Sequence, residues 1–337
     1  MSELDPILSP VVTADESDVE LSLRPHSLAE FIGQPRLKKS LHIALTAAKN
    51  RTEPVDHILL YGPPGLGKTT LSHIIAAEQG GSIHVTTGPA ITRTGDLASL
   101  LTNLGENDVL FIDEIHRLSS AVEETLYSAM EDHRLDLVLG KGPAARTVSL
   151  TLKPFTLVGA TTKYGSLSGP LRSRFGIIGK LEYYDPASLV EIIIRSGDIL
   201  GIAVDRPLAQ ELAIRARGTP RIANRLLRRA RDMAEIKYDG ALSRDAILET
   251  VTLLEIDSLG LDAADRDLLT AIIRDHHGGP VGLSTLASAL SEDIGTIEEV
   301  YEPFLIQQGL LARTKQGRIV TDKAYAHLGI QKPVNSS

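Results

Sequence analysis

Residues 62–69 read Gly-Pro-Pro-Gly-Leu-Gly-Lys-Thr and fit the pattern G-x-x-x-x-G-K-[ST]. Few eight-residue stretches constrain a fold so tightly. Gly62, Gly65 and Gly67 let the backbone turn its N–H groups inward toward phosphate oxygens. Lys68 brings a cation to the β- and γ-phosphates, and the Thr69 hydroxyl suits Mg²⁺. The flanks agree. Residues 55–61 are apolar and strand-like, and residues 70–78 repeat apolar side chains at helical spacing. A strand, a glycine loop and a helix N-terminus together make an anion site, which a chance Gly-Lys-Thr turn does not.

The rest of the first half extends this pattern. From Leu21 to Tyr184 strand-like and helical runs alternate, which predicts a parallel sheet. Residues 109–112 and 155–159 are short buried-type strands, with a helix over 120–130 between them. Two β-rich runs within 135–152 flank Gly140-Lys-Gly-Pro143 and read as a hairpin. Leu137, Val138 and Leu139 near its tip suit either an edge hairpin or a docking element for a partner protein.

Four residues near the strand ends complete a hydrolytic set. Asp113 and Glu114 close the apolar run Leu110-Phe-Ile. Asp113 is placed to hold Mg²⁺ through water, and Glu114 to orient and polarise the attacking water. After the next strand, Thr162, with Thr161 as the alternative, is placed to sense the γ-phosphate. Arg174, with Arg172 second, is placed to reach a neighbouring subunit's nucleotide as an arginine finger. His116 reads as a hydrogen-bonding residue at a helix start. The ten histidines show no metal-ligand spacing. The implied ligands are therefore ATP and Mg²⁺.

Asp185-Pro186 marks a boundary. Residues 185–257 read as a small all-helical domain. In it Gly218 ends one helix, and Thr219 and Pro220 open another as N-cap and first residue. Ile222, Leu226, Ala230 and Met233 form its apolar stripe. Arg225, Arg228, Arg229 and Arg231 around it are expected to be a solvated face. Residues 258–330 give three helices and then a hairpin, the order of a winged helix. Residues 258–337 carry seven Lys and Arg against ten Asp and Glu, yet Arg313, Lys315 and Arg318 cluster on the wing, where cations reach phosphates. Residues 1–20 read as an acidic disordered lead-in and 331–337 as a tail.

Composition sets limits on partners. The formal net charge is −8, which argues against diffuse binding of nucleic acid but not against a local basic contact. With no Trp and 4% aromatic residues, a binder of single strands built on stacking is not expected. There are no cysteines. Neither a secretory signal nor a membrane-spanning run is read, and a cytoplasmic protein is expected.

The P-loop, Asp113-Glu114, Gly-Ala-Thr-Thr162, Arg-Ser-Arg-Phe175 and Gly-Thr-Pro-Arg221 together resemble the AAA+ ATPases. Residues 24–34 resemble that family's N-terminal box beside the adenine. The likeness spans about residues 20–330 and is strongest to the DNA branch-migration motors within the family. It implies an α/β P-loop AAA+ large domain with a parallel sheet (21–184), a small helical lid (185–257) and a C-terminal winged helix. It also implies that Leu23, Arg24 and Tyr184 cradle adenosine, and that Gly65, Lys68, Thr69 and Thr70 hold phosphates. Arg221 becomes a second sensor of the γ-phosphate, and Arg174 acts in trans. Glu131, Asp132 and His133 lie near nucleotide. The 135–152 hairpin grips a junction-binding protein, and Arg313 and Arg318 touch DNA phosphates. The expected assembly is a homo-hexameric ring around duplex DNA at a four-way junction, with a junction resolvase as a further partner. Two other functions fit fewer of these features. A clamp-loader-like or protein-remodelling ATPase would use the wing as an adaptor. A nucleotide-gated transcription regulator would have no need of Glu114.

Overall fold

The computed structural model describes residues 17–139 and 146–332. Most of the expected lead-in, the hairpin tip and the end of the tail lie outside them. Asp18–Tyr184 forms one compact unit, and the chain from Asp185 forms another.

In the first unit, α1 (Ser17–Ser22) and α2 (Pro35–Arg51) precede the sheet. Then β1 (Ile58–Tyr61), α3 (Lys68–Gln79), β2 (Ile83–Thr87), α4 (Thr94–Thr102), β3 (Val109–Asp113) and α5 (Ser120–Asp132) alternate. After a hairpin of β4 (Arg134–Leu139) and β5 (Arg146–Thr151) come β6 (Thr156–Thr161), α6 (Gly169–Arg172) and β7 (Ile177–Lys180). The five-stranded sheet has the order β2-β3-β6-β1-β7, and each of its pairings is parallel. Crossover helices cover a parallel sheet on both faces, so its central strands carry no polar alternation. All six residues of β6 are buried, and β1 and β3 are buried up to their last residue. Leu97, Leu101 and Leu126 pack on Leu110, Ile112 and Leu157 in this core. The β4–β5 hairpin pairs antiparallel, from Arg134 opposite Thr151 to Leu139 opposite Arg146.

The register brings the functional residues to one edge. Tyr61 at the end of β1 stands beside Thr161 at the end of β6, and Ile112 of β3 beside Gly159 of β6. The loops that follow β1, β3 and β6 therefore leave side by side, at the carboxyl ends where α/β sheets bind ligands.

The second unit begins with the lid. Asp185 caps α7 (Pro186–Leu200) by accepting the Ser188 N–H at 2.7 Å. Asp205 caps α8 (Arg206–Arg215), and Ser243 caps α10 (Arg244–Leu253). Between these two helices lies α9 (Pro220–Lys237). Thr219 holds its N-cap position, but its hydroxyl donates to Arg217 O at 3.3 Å rather than capping the helix. The solvated face expected on α9 is corrected for two residues. Arg225 and Arg228 are buried, at 4% and 8% exposure, alongside Ile222 and Leu226. A guanidinium on a long apolar stem widens a buried stripe beyond its apolar members.

Next, α11 (Ala263–Asp275) and α12 (Leu283–Leu290) are followed by α13 (Ile294–Thr296), a π-helical turn (Ile297–Tyr301) and α14 (Glu302–Gln307). Pro303 lacks the N–H that would reach back to Glu299, and the π turn falls at that break in the ladder. The hairpin β8 (Leu311–Thr314) and β9 (Gly317–Val320) is the wing, and α15 (Asp322–Leu328) closes the unit. This last helix lies past the hairpin that ends the winged-helix order expected from the sequence. Its Tyr325 joins Leu268, Ile272, Leu286, Ile297, Phe304 and Leu305 in a separate core.

Candidate nucleotide-binding site

The loop after β1 owes its shape to its glycines. Gly62, Gly65 and Gly67 have φ values of 143°, 76° and 101°. A Cβ on Gly62 would lie 2.4 Å from the Leu181 carbonyl oxygen, so no larger residue fits the strand exit. Gly67 then caps α3, whose first residue is Lys68. The Lys68 side chain curls into the loop. Its Nζ donates to Gly62 O at 2.8 Å and Pro63 O at 2.9 Å, and the residue is 7% exposed. An ammonium held this way meets a phosphate seated in the loop without searching for it. Tyr184 braces the loop from behind, donating its hydroxyl to Leu66 O at 3.2 Å. Burial raises the Tyr184 phenol well above its ordinary pKa, so it remains a donor. Leu23 is buried in the same unit, and Thr69 and Thr70 are partly exposed at the start of α3.

At the end of β3, Asp113 Oδ1 accepts the Glu114 N–H at 2.9 Å. Glu114 itself takes a left-handed backbone, φ 50°, which turns its side chain out of the strand direction. Its carboxylate lies 3.4 Å from His116 Nε2 and is about one-third exposed. On the neighbouring strand, Thr161 is wholly buried. Its Oγ1 lies 2.8 Å from His116 Nδ1 and accepts the Lys163 N–H at 2.9 Å. His116 thus bridges β6 and the Glu114 turn, a role its sequence position does not announce. The Thr161 hydroxyl is committed inside the fold, whereas Thr162 is partly exposed.

Arg174, just past α6, has three partners. Its Nη2 lies 3.1 Å from Glu131 Oε1, its Nη1 donates to Pro170 O at 2.7 Å, and its Cζ sits 4.3 Å from the centre of the Tyr127 ring. Tyr127 belongs to α5 and to no sequence motif. Its hydroxyl donates to Glu123 at 2.9 Å and lies 3.1 Å from Ser168 Oγ, the N-cap of α6. A cation on an aromatic face keeps its direction with little entropy to lose. Arg172 stands instead over Tyr164, at 5.3 Å. Of the three residues expected near nucleotide at the end of α5, Glu131 joins Arg174. Asp132 is exposed, and the His133 ring meets Phe155 edge-on at 5.9 Å.

The donor set suits Mg²⁺. A hydroxyl at Thr69 and a carboxylate at Asp113 are hard oxygen ligands, and such an ion takes its remaining ligands from phosphates and water. Among the described residues no group of three or more His, Asp or Glu forms a metal cage.

The wing differs from expectation. The Arg318 guanidinium chelates Glu302, with Nε and Nη2 both on the carboxylate, and its side chain is 13% exposed. Arg313 binds the same Glu302 and lies 3.6 Å from Glu298, with half its side chain exposed. Glu302 is 1% exposed. Burial alone would raise its pKa, but the two guanidinium partners prevail and hold it below the ordinary carboxylate range. Lys315, at the turn of the wing, is exposed. The basic cluster is therefore partly neutralised by an acid that sequence reading did not connect to it.

A P-loop and the acidic pair Asp113-Glu114 at the ends of a parallel sheet, followed in the chain by a helical lid and a winged helix, define an AAA+ P-loop ATPase. Comparison with known proteins narrows the class. Residues 23–181 match the family model of the Holliday junction DNA helicase RuvB P-loop domain. Residues 184–257 match the RuvB AAA lid domain, and 258–329 the RuvB C-terminal winged helix domain. The chain belongs to the RuvB family. It is 54% identical over 330 residues to the Holliday junction branch migration complex subunit RuvB of Mycobacterium tuberculosis H37Rv, covering 98% of this chain and 96% of that one. To the subunit of the same name from Mycolicibacterium smegmatis it is 55% identical over 327 residues, covering 97% and 93%. A solved structure of the Thermotoga maritima RuvB Holliday junction branch migration motor superposes with a TM-score of 0.85 at 52% identity, covering 93% and 100% of the two chains. At 14% identity, the Aeropyrum pernix ORC2 protein shares the fold alone, with a TM-score of 0.52 over 86% and 91%.

Proposed function

We propose that this chain is an ATP-driven motor that moves four-way DNA junctions by branch migration, as a homo-hexameric ring around duplex DNA. The observation that carries the proposal is the joining, in one chain, of a P-loop site bearing Glu114 to a winged helix, along a sequence like that of branch-migration subunits over almost its whole length. The reaction is hydrolysis of ATP to ADP and phosphate. Gly62, Gly65, Gly67, Lys68, Thr69 and Thr70 hold the phosphates; Leu23, Arg24 and Tyr184 hold adenosine. Thr69 and Asp113 would hold Mg²⁺, which would supply charge stabilisation to the phosphates. Glu114 accepts a proton from the attacking water, with His116 beside it.

Thr162 is the γ-phosphate sensor, a choice supported by the burial of Thr161 against His116. Arg174 is the finger that serves a neighbouring subunit. Its support is geometric: with Glu131 and Tyr127 beneath it, its direction is set within its own subunit. Glu131, Asp132 and His133 share that edge. Arg221, at the start of α9, is the lid's sensor of the γ-phosphate. On the wing, Lys315 and Arg313 make the first phosphate contacts, while Arg318 serves chiefly to anchor the hairpin through Glu302. The β4–β5 hairpin docks the junction-binding protein RuvA, and the RuvC resolvase is a further partner. No helix among the described residues is long and apolar enough to cross a membrane, and the motor is assigned to the cytoplasm.

The test is migration of a synthetic four-way junction. Products are expected with ATP and RuvA together and not with either omitted. Migration without ATP, or none with both, would overturn the proposal.

A further inference from the structure

The lid and the winged helix are joined by one buried arginine. The helix α8 ends at Arg215, and the turn back into α9 is made by Arg217 and Gly218, with φ values of 55° and 68°. Glycine takes that conformation readily; arginine does so at a cost that its surroundings must offset. The surroundings of Arg217 are unusually complete. Its side chain is 4% exposed. Nε donates to Gly260 O at 2.8 Å, and Nη2 donates to Asp265 and lies 3.3 Å from Asp262. Its Cζ sits 4.7 Å from the centre of the Phe304 ring. These partners belong to three parts of the next domain. Gly260 is in its entry turn, Asp262 and Asp265 form the capping box of α11, and Phe304 is on α14.

The entry turn is fastened from other directions as well. A Cβ on Gly260 would lie 2.9 Å from Arg215 O, so the turn is packed against the end of α8. Arg266 of α11 donates to Glu255 O at 2.8 Å and Leu261 O at 3.0 Å. His327 of α15 lies 2.7 Å from Asp257, whose other oxygen accepts the Leu259 and Leu261 N–H groups. A planar guanidinium with partners on three elements fixes orientation as well as distance, which an apolar contact does not. Asp265 is wholly buried. Among the described residues Arg217 is the cation that bonds it, since Arg266 is spent on the Glu255 and Leu261 carbonyls, so the two residues are retained or lost together.

We propose that Arg217 is the positioning residue that locks the winged helix to the lid. Motion of Arg221, four residues further on, is then delivered to the wing as a rigid-body displacement. The coupling rests on the proposed roles of Arg221 and the wing; the lock itself does not.

Because the chain has no cysteines, two can be introduced without competing sites. Ile236→Cys on α9 and Ala289→Cys on α12 are both at exposed positions. With spin labels at these sites in the full chain, the lock predicts one narrow distance distribution, the same with and without a non-hydrolysable ATP analogue. Adding Arg217→Ala is expected to broaden it. If that variant does not fold, Arg217→Lys, which keeps the charge but loses the fork, and Asp265→Asn are expected to broaden it in its place. A broad or nucleotide-dependent distribution in the labelled parent, or a narrow one in all variants, overturns the lock.

The functional arm compares rates. Arg217→Lys is expected to keep ATP turnover within about twofold while junction migration falls about tenfold or more, because the ammonium keeps the charge but not the planar fork that fixes orientation. Equal falls in both rates would overturn the coupling. A parent that migrates no junctions would instead count against the proposed function and leave the spin-label result standing.

Discussion

The nucleotide site and the lid–wing unit use charge in opposite ways. Around the P-loop, charged groups are presented by the backbone. Asp113 and Glu114 stand at a strand end, Lys68 at a helix start and Arg174 on a capped turn, and the Glu114 side chain is about one-third exposed. In the second unit the charges that organise the fold are withdrawn. Asp265 and Glu302 are at most 1% exposed; Arg217 holds the first, and Arg313 and Arg318 hold the second. Charge at the strand ends is placed for the proposed chemistry, whereas the buried acids of the second unit are consumed in holding helices and hairpin together. Removal should therefore cost catalysis in one region and structure in the other.

The largest effects should come from the strand ends. Arg174→Ala is expected to lower turnover about 10³-fold or more, the usual worth of an arginine finger. Mixed with Lys68→Ala subunits, it should regain part of that activity, because some interfaces then pair a sound finger with a sound loop. No recovery in mixed rings would place the finger in cis and end the trans reading. Glu114→Gln is expected to lose about 10²-fold or more in phosphate release while fluorescent nucleotide still binds. Undiminished release would remove its role as base.

A smaller and different loss is expected from Glu302→Gln. The wing should be destabilised by about 2 kcal/mol, the worth of hydrogen bonds to a charged group, read as an earlier urea transition with ATP turnover intact. This effect has a pH signature. Glu302 is held below its ordinary 4.5 in the folded chain, so the folded state binds fewer protons there than the unfolded state. Its stabilisation is then complete above pH 4.5 and lost as pH falls through the depressed value. The gap between wild type and Glu302→Gln should close on acidification; a gap that widens would contradict the ion pairs. The smallest effect separates the wing cations. Lys315→Ala should reduce the salt slope of DNA binding by about one phosphate contact with stability unchanged, whereas Arg318→Ala should lower stability more than slope. The reverse result would make Arg318 the phosphate contact.

This contrast also explains what could be read in advance. That the P-loop, Asp113, Glu114 and the pair Thr161-Thr162 stand at neighbouring strand ends was legible because a short motif and its strand fix the backbone together. The hairpin and the winged-helix order were legible from turn residues and periodicity. Arg318 and Glu302 are 16 residues apart, Thr161 and His116 45, and Arg217 and Asp265 48. Such pairs exist only once helices have packed, and no spacing rule announces them. For the same reason Arg225 and Arg228 looked like solvated charge. Tyr127 was hidden in another way: among the apolar residues of α5 it reads as core, and only the neighbouring Arg174 gives it a second use.

The left-handed backbone at Glu114 has a consequence for how this position can evolve. Asparagine or glycine would sit there with less strain than glutamate. A selection for heat resistance alone should therefore drift away from the carboxylate and, given the role proposed for Glu114, yield a more durable protein that binds nucleotide and does no work.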